Sequence, residues 1–279
     1  MADKLSNNYV NETKSHLKRS NLVLLVCDYD GALLQPSPDG GEGHMAETVH
    51  DHLEKISAID AVRLAIITGR SPLNMREQVQ IPNCHYLCNH GLEISGPELN
   101  FRHSVAEKMR EHVHEAANTL RVQLRIDRAV VEDRGLTAVL NYRNVMESHV
   151  SSLMAKTKNL LANAVRERKI RIEEGRRTLE IMPAVDWDRG KAVKMLHHTL
   201  RAEYPGSQVG LLYVGAGGMD ETAFKYVIQV GIPYRVTQTK TTSARYYLKM
   251  QTEISRVLKL VRENAPQEAP AKPKEKMVL

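Results

Sequence analysis

The first clear hydrophobic segment of the chain lies at residues 22–27, where six apolar residues follow one another without a polar break. Such a run is typical of a strand buried on both faces, as in a parallel sheet covered by helices. Further apolar runs predict strands over residues 62–67, 84–88, 211–214 and 232–236. Helical periodicity or capping predicts helices over residues 46–60, 72–79, 188–203, 219–229, 242–248 and 251–262. This alternation of strands and helices predicts βαβ units and a parallel sheet.

The pattern changes between residues 95 and 183. Helices are predicted over residues 104–120 and 146–167, and short strands over residues 129–132, 137–142, 169–173 and 178–182. Helices that are segregated from hairpin-like strands indicate a small α+β unit inserted into the α/β core. We therefore predict a polar lead-in at 1–20, a core domain formed by 21–94 and 184–262, a cap domain at 95–183 and a disordered tail at 263–279. A loop is predicted over residues 35–43, which are rich in Pro and Gly.

The composition of the chain restricts the classes of ligand and partner that it is expected to bind. The chain has 279 residues, enough to bury the core of a domain with a smaller second one. A net charge of +6 permits the attraction of anions such as a phosphorylated substrate, whereas an aromatic content of 5% argues against a nucleic-acid stacking surface. The apolar runs are too short for a membrane span and the polar start is no signal peptide, so we expect no membrane partner and a cytoplasmic location.

Two carboxylates stand at the end of the first predicted strand. Asp28 and Asp30 are two residues apart and Gly31 follows directly. Ligands bind at the carboxyl ends of parallel strands, where one carboxylate can attack an electrophile and a second can protonate the leaving group. A polar turn that merely ends a strand is the alternative interpretation of these residues alone.

Four segments in order resemble the motifs of the haloacid-dehalogenase-like (HAD) phosphatases. They are DYDG at 28–31, IITGR at 66–70, GKA at 190–192, and YVG at 213–215 with DE at 220–221. Strings at 89–93, 131–135, 141–143 and 179–191 resemble those of the trehalose-6-phosphate phosphatases within that superfamily. The resemblance extends over about residues 20–262 and implies a Rossmann-like α/β core with a parallel sheet and an inserted α+β cap.

The resemblance implies four catalytic residues. Asp28 would attack phosphorus, and Asp30 would be acid to the leaving sugar oxygen and then base for the hydrolytic water. Thr68, at a strand end, would donate its hydroxyl to a phosphate oxygen. Lys191, in the first turn of a helix, would face the phosphate with its ammonium group. We expect these side chains to converge on one pocket.

The resemblance also implies a sugar site on the cap. Charged side chains at Glu132, Arg134, Arg143 and Glu180 would bind the hydroxyls of the disaccharide, because carboxylates and guanidinium groups suit paired hydrogen bonds. Ion pairing between neighbouring cap strands is the alternative role for each of them.

A magnesium ion is implied as well. The Asp28 carboxylate and the backbone carbonyl of Asp30 would hold it with a phosphate oxygen and waters, and Asp220 would reach it through a water. The family usually has a Gly-Asp-Asp run after the fourth motif strand, but here Ala216 and Gly217 follow the glycine. Both carboxylates of that run are replaced, which predicts weakened Mg²⁺ binding. Ala32 and Met182 replace a Thr and an Arg that the family commonly has.

The function implied is hydrolysis of trehalose 6-phosphate to trehalose and phosphate, in trehalose biosynthesis, through an aspartyl-phosphate on Asp28. The alternative is a catalytically impaired homologue that binds sugar phosphate, or a trehalose-6-phosphate synthase as its partner, in a regulatory role. A third possibility is a phosphatase for a different sugar phosphate.

Overall fold

A large, mostly parallel sheet and a smaller antiparallel sheet organise the computed structural model, which describes residues 8–35, 43–237, 239, 241–249 and 251–272. The strands are β1 (Leu22–Asp28), β2 (Leu34–Gln35), β3 (His44–Met45), β4 (Val62–Ile67), β5 (Cys84–Cys88), β6 (Glu93–Ser95), β7 (Phe101–Arg102), β8 (Val130–Asp133), β9 (Ala138–Asn141), β10 (Ile170–Glu174), β11 (Thr178–Pro183), β12 (Val209–Gly215), β13 (Gly231–Val236) and β14 (Tyr246–Leu248). The α-helices are α1 (Asn8–Arg19), α2 (Glu47–Ser57), α3 (Pro72–Gln78), α4 (Ser104–Lys108), α5 (Arg110–Gln123), α6 (Glu147–Arg166), α7 (Arg189–Glu203), α8 (Glu221–Val230) and α9 (Ile254–Asn264).

The large sheet has the strand order β14-β13-β12-β1-β4-β5-β6-β7. The strands from β14 to β5 run parallel, and β6 and β7 add to the edge in antiparallel fashion. After β1 the chain builds outward through β4 and β5, and it later returns to pair β12 with the other side of β1. The order therefore reverses at β1, and ligands bind at the carboxyl ends of the strands at such a reversal.

Both faces of β1 are covered, as its unbroken apolar run predicts. Leu25 and Cys27 pack in a cluster that includes Leu53 of α2 and Val257 of α9. Leu24 and Val26 point to the opposite face, where α7 and α8 cover the sheet. The Rossmann-like α/β core predicted from the sequence is confirmed.

The smaller sheet forms the cap and has the order β10-β11-β9-β8, all antiparallel. One face packs its apolar side chains, such as Leu140 and Leu179, against α5 and α6. Glu132 and Glu180 both pair with Val139 in the strand register, so they share the opposite face. That polar face turns toward the core domain, and the inserted α+β cap is confirmed.

The structure departs from the predicted elements near the C-terminus. Residues 246–248 form β14, which pairs with β13, rather than a helix. The predicted disordered tail begins with residues that are packed: Ala265 is buried, Ala269 donates its N–H to Asp60, and Lys272 pairs with Glu203. Residues 273–279, and most of the predicted loop at 35–43, lie outside the described residues.

The N-terminal lead-in contains α1, whose residue Leu17 is fully buried. Wherever the chain is described, its helices are too short or too polar to cross a bilayer.

Candidate active site

Asp28 ends β1 and lies at the centre of the site, where 3% of its surface is exposed. A turn of π-helix over Tyr29–Leu33 begins directly after it, and the N–H of Gly31 donates to its Oδ2 at 2.9 Å. A side chain on Gly31 would place its Cβ 2.4 Å from that oxygen and 2.8 Å from the Cβ of Ala216, so only glycine fits there. Burial raises the pKa of Asp28 to about 7, against the opposing charge of Arg189.

Arg189, the first residue of α7, joins Asp28 to Asp220. Its Nη1 donates to Asp28 Oδ1 at 2.7 Å and to Asp220 Oδ1 at 2.6 Å. Its side chain is only 8% exposed, so these are buried ion pairs. One guanidinium therefore holds two carboxylates that would otherwise repel each other.

Close packing at the start of α7 puts Arg189 in this position. Asp188 caps the helix by accepting the N–H of Lys191, and Gly190 lies against α8. A Cβ on Gly190 would lie 2.5 Å from the carbonyl oxygen of Thr222. The small residue lets the helix terminus approach the loop that carries Asp220.

Asp220 is fully buried and its carboxylate accepts hydrogen bonds on both oxygens. Tyr213 Oη donates to Oδ1 at 2.5 Å, beside Arg189. The N–H groups of Ala216 and Gly217 donate to Oδ2 at 2.9 and 2.8 Å. Burial opposes ionisation of Asp220, but the charge of Arg189 and these hydrogen bonds outweigh it and lower its pKa.

Asp30 belongs to a second cluster at the rim of the site. Thr68 Oγ1 donates to its Oδ2 at 2.7 Å, and Arg70 Nε donates to its Oδ1 at 2.8 Å. Burial opposes the charged form, yet the charge of Arg70 and the hydrogen bonds from Thr68 and Arg70 outweigh it and lower the pKa of Asp30. The predicted proximity of Asp30 and Thr68 is thus found in the structure.

The Lys191 side chain joins neither the cluster of Asp28 nor that of Asp30. Its ammonium donates to the carbonyl oxygen of Asp186 at 2.9 Å, pairs with the Asp186 carboxylate, and lies 40% exposed. Successive helical residues are rotated by about 100°, so side chains two positions apart point to nearly opposite sides of a helix. Arg189 faces Asp28, and the expectation that the Lys191 ammonium does so is wrong.

The polar face of the cap meets the core at two of the four predicted sugar-binding residues. Glu180 Oε2 lies 3.3 Å from Nε2 of His90, and Nη1 of Arg134 donates to the carbonyl oxygen of Gly69 at 3.1 Å. Burial opposes ionisation of Glu180, but His90 and then Arg134 outweigh it and lower its pKa. Glu180 and Arg134 themselves lie 3.6 Å apart.

The other two predicted sugar-binding residues are more exposed. Glu132 pairs with Arg134 at 3.1 Å, and Arg143 is exposed after β9. Three of the four are therefore gathered in one charged cluster over the core, whereas no contact joins the Arg143 side chain to that cluster among the interactions of the described residues. Ion pairing among cap residues, which is the alternative role of these side chains, is present as well.

The predicted magnesium ligands fall into two separate ion clusters. Asp28 and Asp220 are bound by Arg189, and the Asp30 carboxylate is bound by Thr68 and Arg70. Over the described ranges, no group of three or more His, Cys, Asp or Glu side chains is arranged to hold a metal ion. With Asp28 and Asp220 both bound by Arg189, and with no carboxylate at Ala216 or Gly217, the residues present do not fit a magnesium site.

Three residues of the site were not predicted from the sequence: Arg189, His90 and Tyr213. His90 lies near Arg189 as well as Glu180, with its Nδ1 3.4 Å from Arg189 Nε. It has a left-handed backbone with φ 57°, which is unusual for a residue other than glycine and typical of functional sites. No local pattern marks Arg189 as a site residue, because its position depends on the packing of Gly190 against Thr222.

Comparison with known proteins identifies the family of this chain. The sequence profile described as trehalose-phosphatase matches residues 26–252, which is most of the chain. The chain belongs to the trehalose-phosphatase family. It is 26% identical over 247 residues to probable trehalose-phosphate phosphatase C of Arabidopsis thaliana, covering 85% of this chain and 75% of that protein.

Solved structures share the fold. The C-terminal domain of Candida albicans trehalose-6-phosphate phosphatase matches with a TM-score of 0.77 and 18% identity, covering 94% of this chain and 98% of that one. The C-terminal domain of the Candida albicans trehalose synthase regulatory protein matches with a TM-score of 0.65 and 11% identity, covering 91% and 97%.

Proposed function

We propose that this chain is a phosphatase that hydrolyses trehalose 6-phosphate to trehalose and phosphate, with Asp28 as the nucleophile. Membership of the trehalose-phosphatase family over residues 26–252 carries the proposal. The position of Asp28 supports it, since a buried carboxylate at the carboxyl end of the central strand lies where ligands of such sheets bind.

The reaction takes place in two steps. An oxygen of the Asp28 carboxylate bonds to phosphorus while the bond from phosphorus to the sugar oxygen breaks, and that oxygen leaves with the electron pair and takes a proton. Water then attacks the aspartyl-phosphate at phosphorus, loses a proton, and releases phosphate and the carboxylate. Thr68 and Arg189 would supply a hydroxyl and a positive charge to the phosphate oxygens.

Asp30 is the candidate for both proton transfers. Its lowered pKa means that it is ionised at neutral pH while Arg70 and Thr68 bind it, which suits a base for the attacking water. To protonate the leaving oxygen it must first take up a proton, so the contact with Arg70 has to loosen when substrate binds.

The charged cluster of the cap is the proposed sugar site. Glu180, Arg134 and Glu132 lie on the face of the cap that meets the core, so sugar hydroxyls between the domains would replace their present contacts with His90 and Gly69. Arg143 would join them only if the cap rearranges. A sugar phosphate bound there would be shielded from water by the cap.

A regulatory homologue is the second candidate. Arg189 neutralises the proposed nucleophile, and the fold is also that of a trehalose synthase regulatory domain. In that role the chain would bind sugar phosphate, or a trehalose-6-phosphate synthase, without turnover. Either function is consistent with a cytoplasmic protein of carbohydrate metabolism.

The test is phosphate release from trehalose 6-phosphate by the full chain, with sucrose 6-phosphate and glucose 6-phosphate as competing substrates. Asp28→Asn is the control for contaminating phosphatase. Release from trehalose 6-phosphate alone, abolished in the variant, supports the proposal. Binding without release supports the regulatory role, and faster release from another ester identifies a different substrate.

A further inference from the structure

We infer that the guanidinium of Arg189 takes the place of a divalent cation in this site, so that the chain binds phosphate, and hydrolyses its ester, without magnesium. The statement about hydrolysis rests on the function proposed above. The statement about binding does not.

The first reason is the position of the charge. Nη1 of Arg189 lies within hydrogen-bond distance of one oxygen of Asp28 and one oxygen of Asp220, at 2.7 and 2.6 Å. A cation that bridges the nucleophile to the carboxylate of the next loop through these two oxygens would compete directly with the guanidinium. A second cation beside a buried guanidinium would be strongly repelled.

The second reason is that the remaining oxygens are already bound. Asp220 Oδ2 accepts two backbone N–H groups, from Ala216 and Gly217, and Asp28 Oδ2 accepts the N–H of Gly31. Both donors to Asp220 Oδ2 would have to be given up before that oxygen could face a metal ion, and a metal ion on Asp28 Oδ2 would share that oxygen with the N–H of Gly31. The loss would leave the part-buried N–H groups of Ala216 and Gly217 without their carboxylate partner.

The third reason lies in the loop after β12. Where a carboxylate ligand would be needed, Ala216 and Gly217 offer a methyl group and a hydrogen, and both use their backbone to bind Asp220. A Cβ on Gly217 would lie 3.6 Å from Asp220 Oδ2. The same two positions that lack a metal ligand therefore stabilise the partner of the guanidinium.

Arg189 is also suited to the anion. A guanidinium presents five N–H donors and binds phosphate in a fixed, paired geometry, and its charge does not depend on a dissociable ion. Nε and Nη2 both lie 3.4 Å from Nδ1 of His90, whose other nitrogen faces Glu180 of the cap. His90 therefore connects Arg189, which we propose to bind phosphate, to Glu180 of the proposed sugar site.

The decisive experiment measures cation and phosphate binding directly on the full chain. Mn²⁺ binding is followed by electron paramagnetic resonance, and inorganic phosphate binding by calorimetry in EDTA and in Mg²⁺. We expect no stoichiometric Mn²⁺ binding and a phosphate affinity that differs less than twofold between the two conditions. One Mn²⁺ per chain displaced by Mg²⁺, or phosphate binding tightened tenfold by Mg²⁺, overturns the inference.

Arg189→Gln tests whether the guanidinium is what keeps a divalent cation out of the site. Removing the guanidinium leaves two facing carboxylates, so we expect one Mn²⁺ per chain, bound at least tenfold more tightly than by the parent, and weaker phosphate binding. Arg235→Gln is the matched control, because Arg235 binds the same loop through Gly217 O and Glu221 but bridges no pair of carboxylates. A folded Arg189→Gln that binds Mn²⁺ no better than the parent overturns the inference, and the parent titration decides it if the variant does not fold.

Hydrolysis of trehalose 6-phosphate separates this inference from the proposed function. Turnover in EDTA supports both. Turnover that requires Mg²⁺ overturns the inference and leaves the phosphatase function intact. Absence of turnover, with phosphate binding unaffected by EDTA, overturns the phosphatase function and supports the inference about binding.

Discussion

Two aspartates that lie two residues apart at the end of β1, Asp28 and Asp30, each pair with an arginine. The two pairs differ in burial and in the direction in which the aspartate pKa is shifted. In the buried pair, Asp28–Arg189, the side chains are 4% and 8% exposed, whereas in the rim pair, Asp30–Arg70, Asp30 is 37% exposed. Burial raises the pKa of Asp28 to about 7, helped by the negative charges of Asp220 and Asp30. The pKa of Asp30 is lowered, because Arg70 and Thr68 outweigh its burial.

The difference shows what one arginine can do in each setting. Arg189 must balance two carboxylates, so Asp28 keeps a raised pKa in spite of a close ion pair. Arg70 meets a single carboxylate that Thr68 also binds. The proposed nucleophile therefore gains a proton more readily than the proposed acid, which is the reverse of what the first chemical step requires. Substrate binding has to change the surroundings of both.

The largest expected effect is on turnover. Asp28→Asn should lower the rate of trehalose 6-phosphate hydrolysis by at least about a thousandfold, because an amide is a very poor nucleophile. Steady-state phosphate release measures the loss, and calorimetry with inorganic phosphate checks that the site still binds its ligand. A variant that turns over at the parent rate would exclude the aspartyl-phosphate.

The two pairs should differ sharply in stability. Arg189→Ala is expected to lower the free energy of unfolding by about 3–5 kcal/mol, because it leaves two buried carboxylates without a cation. Arg70→Ala should cost about 1 kcal/mol or less, since the rim pair is screened by solvent. Urea denaturation at neutral pH measures both. Equal losses would mean that burial does not distinguish the pairs.

The buried pair should also produce a pH dependence. The pKa of Asp28 rises on folding from 3.8 to about 7, so the native state retains a proton that the unfolded chain releases in this window. This contribution to stability is complete below the unfolded pKa and is lost as the pH rises through about 7. Relative to Asp28→Asn, the parent should lose on the order of 1–4 kcal/mol between pH 4 and pH 8. Urea denaturation of both proteins across this range measures the free energy of unfolding, and plots against pH that run parallel for the parent and Asp28→Asn would refute the raised pKa of Asp28.

The smallest expected effect concerns the cap. Glu180→Gln should raise KM for trehalose 6-phosphate by about tenfold with little change in kcat, because a charged hydrogen bond to the sugar is weakened. Glu173→Gln is the matched control, since Glu173 pairs with Glu180 in the register of β10 and β11 but bonds Arg171 instead of the core. A similar rise in both variants would argue against a specific sugar contact.

Local patterns predicted most of the fold. The strand at 62–67 coincides with β4, and the helix predicted at 146–167 is α6 from Glu147 to Arg166. Residues 246–248 were predicted to be helical but form β14, because pairing with β13 decides the structure of this short edge strand and its local sequence does not. The packed residues 265–272 likewise depend on Asp60 and Glu203, which are far away in the chain.

The sequence by itself determined where the two candidate carboxylates lie, since an apolar run followed by Asp28 and Asp30 predicts a buried strand that ends in carboxylates. Only the tertiary structure decided which cation faces them. Arg189 and Lys191 are both basic residues at the start of one helix, and the rotation of that helix against the sheet turns one inward and the other to solvent. That rotation depends on the packing of Gly190 against Thr222, a contact between residues 32 positions apart that no local pattern contains.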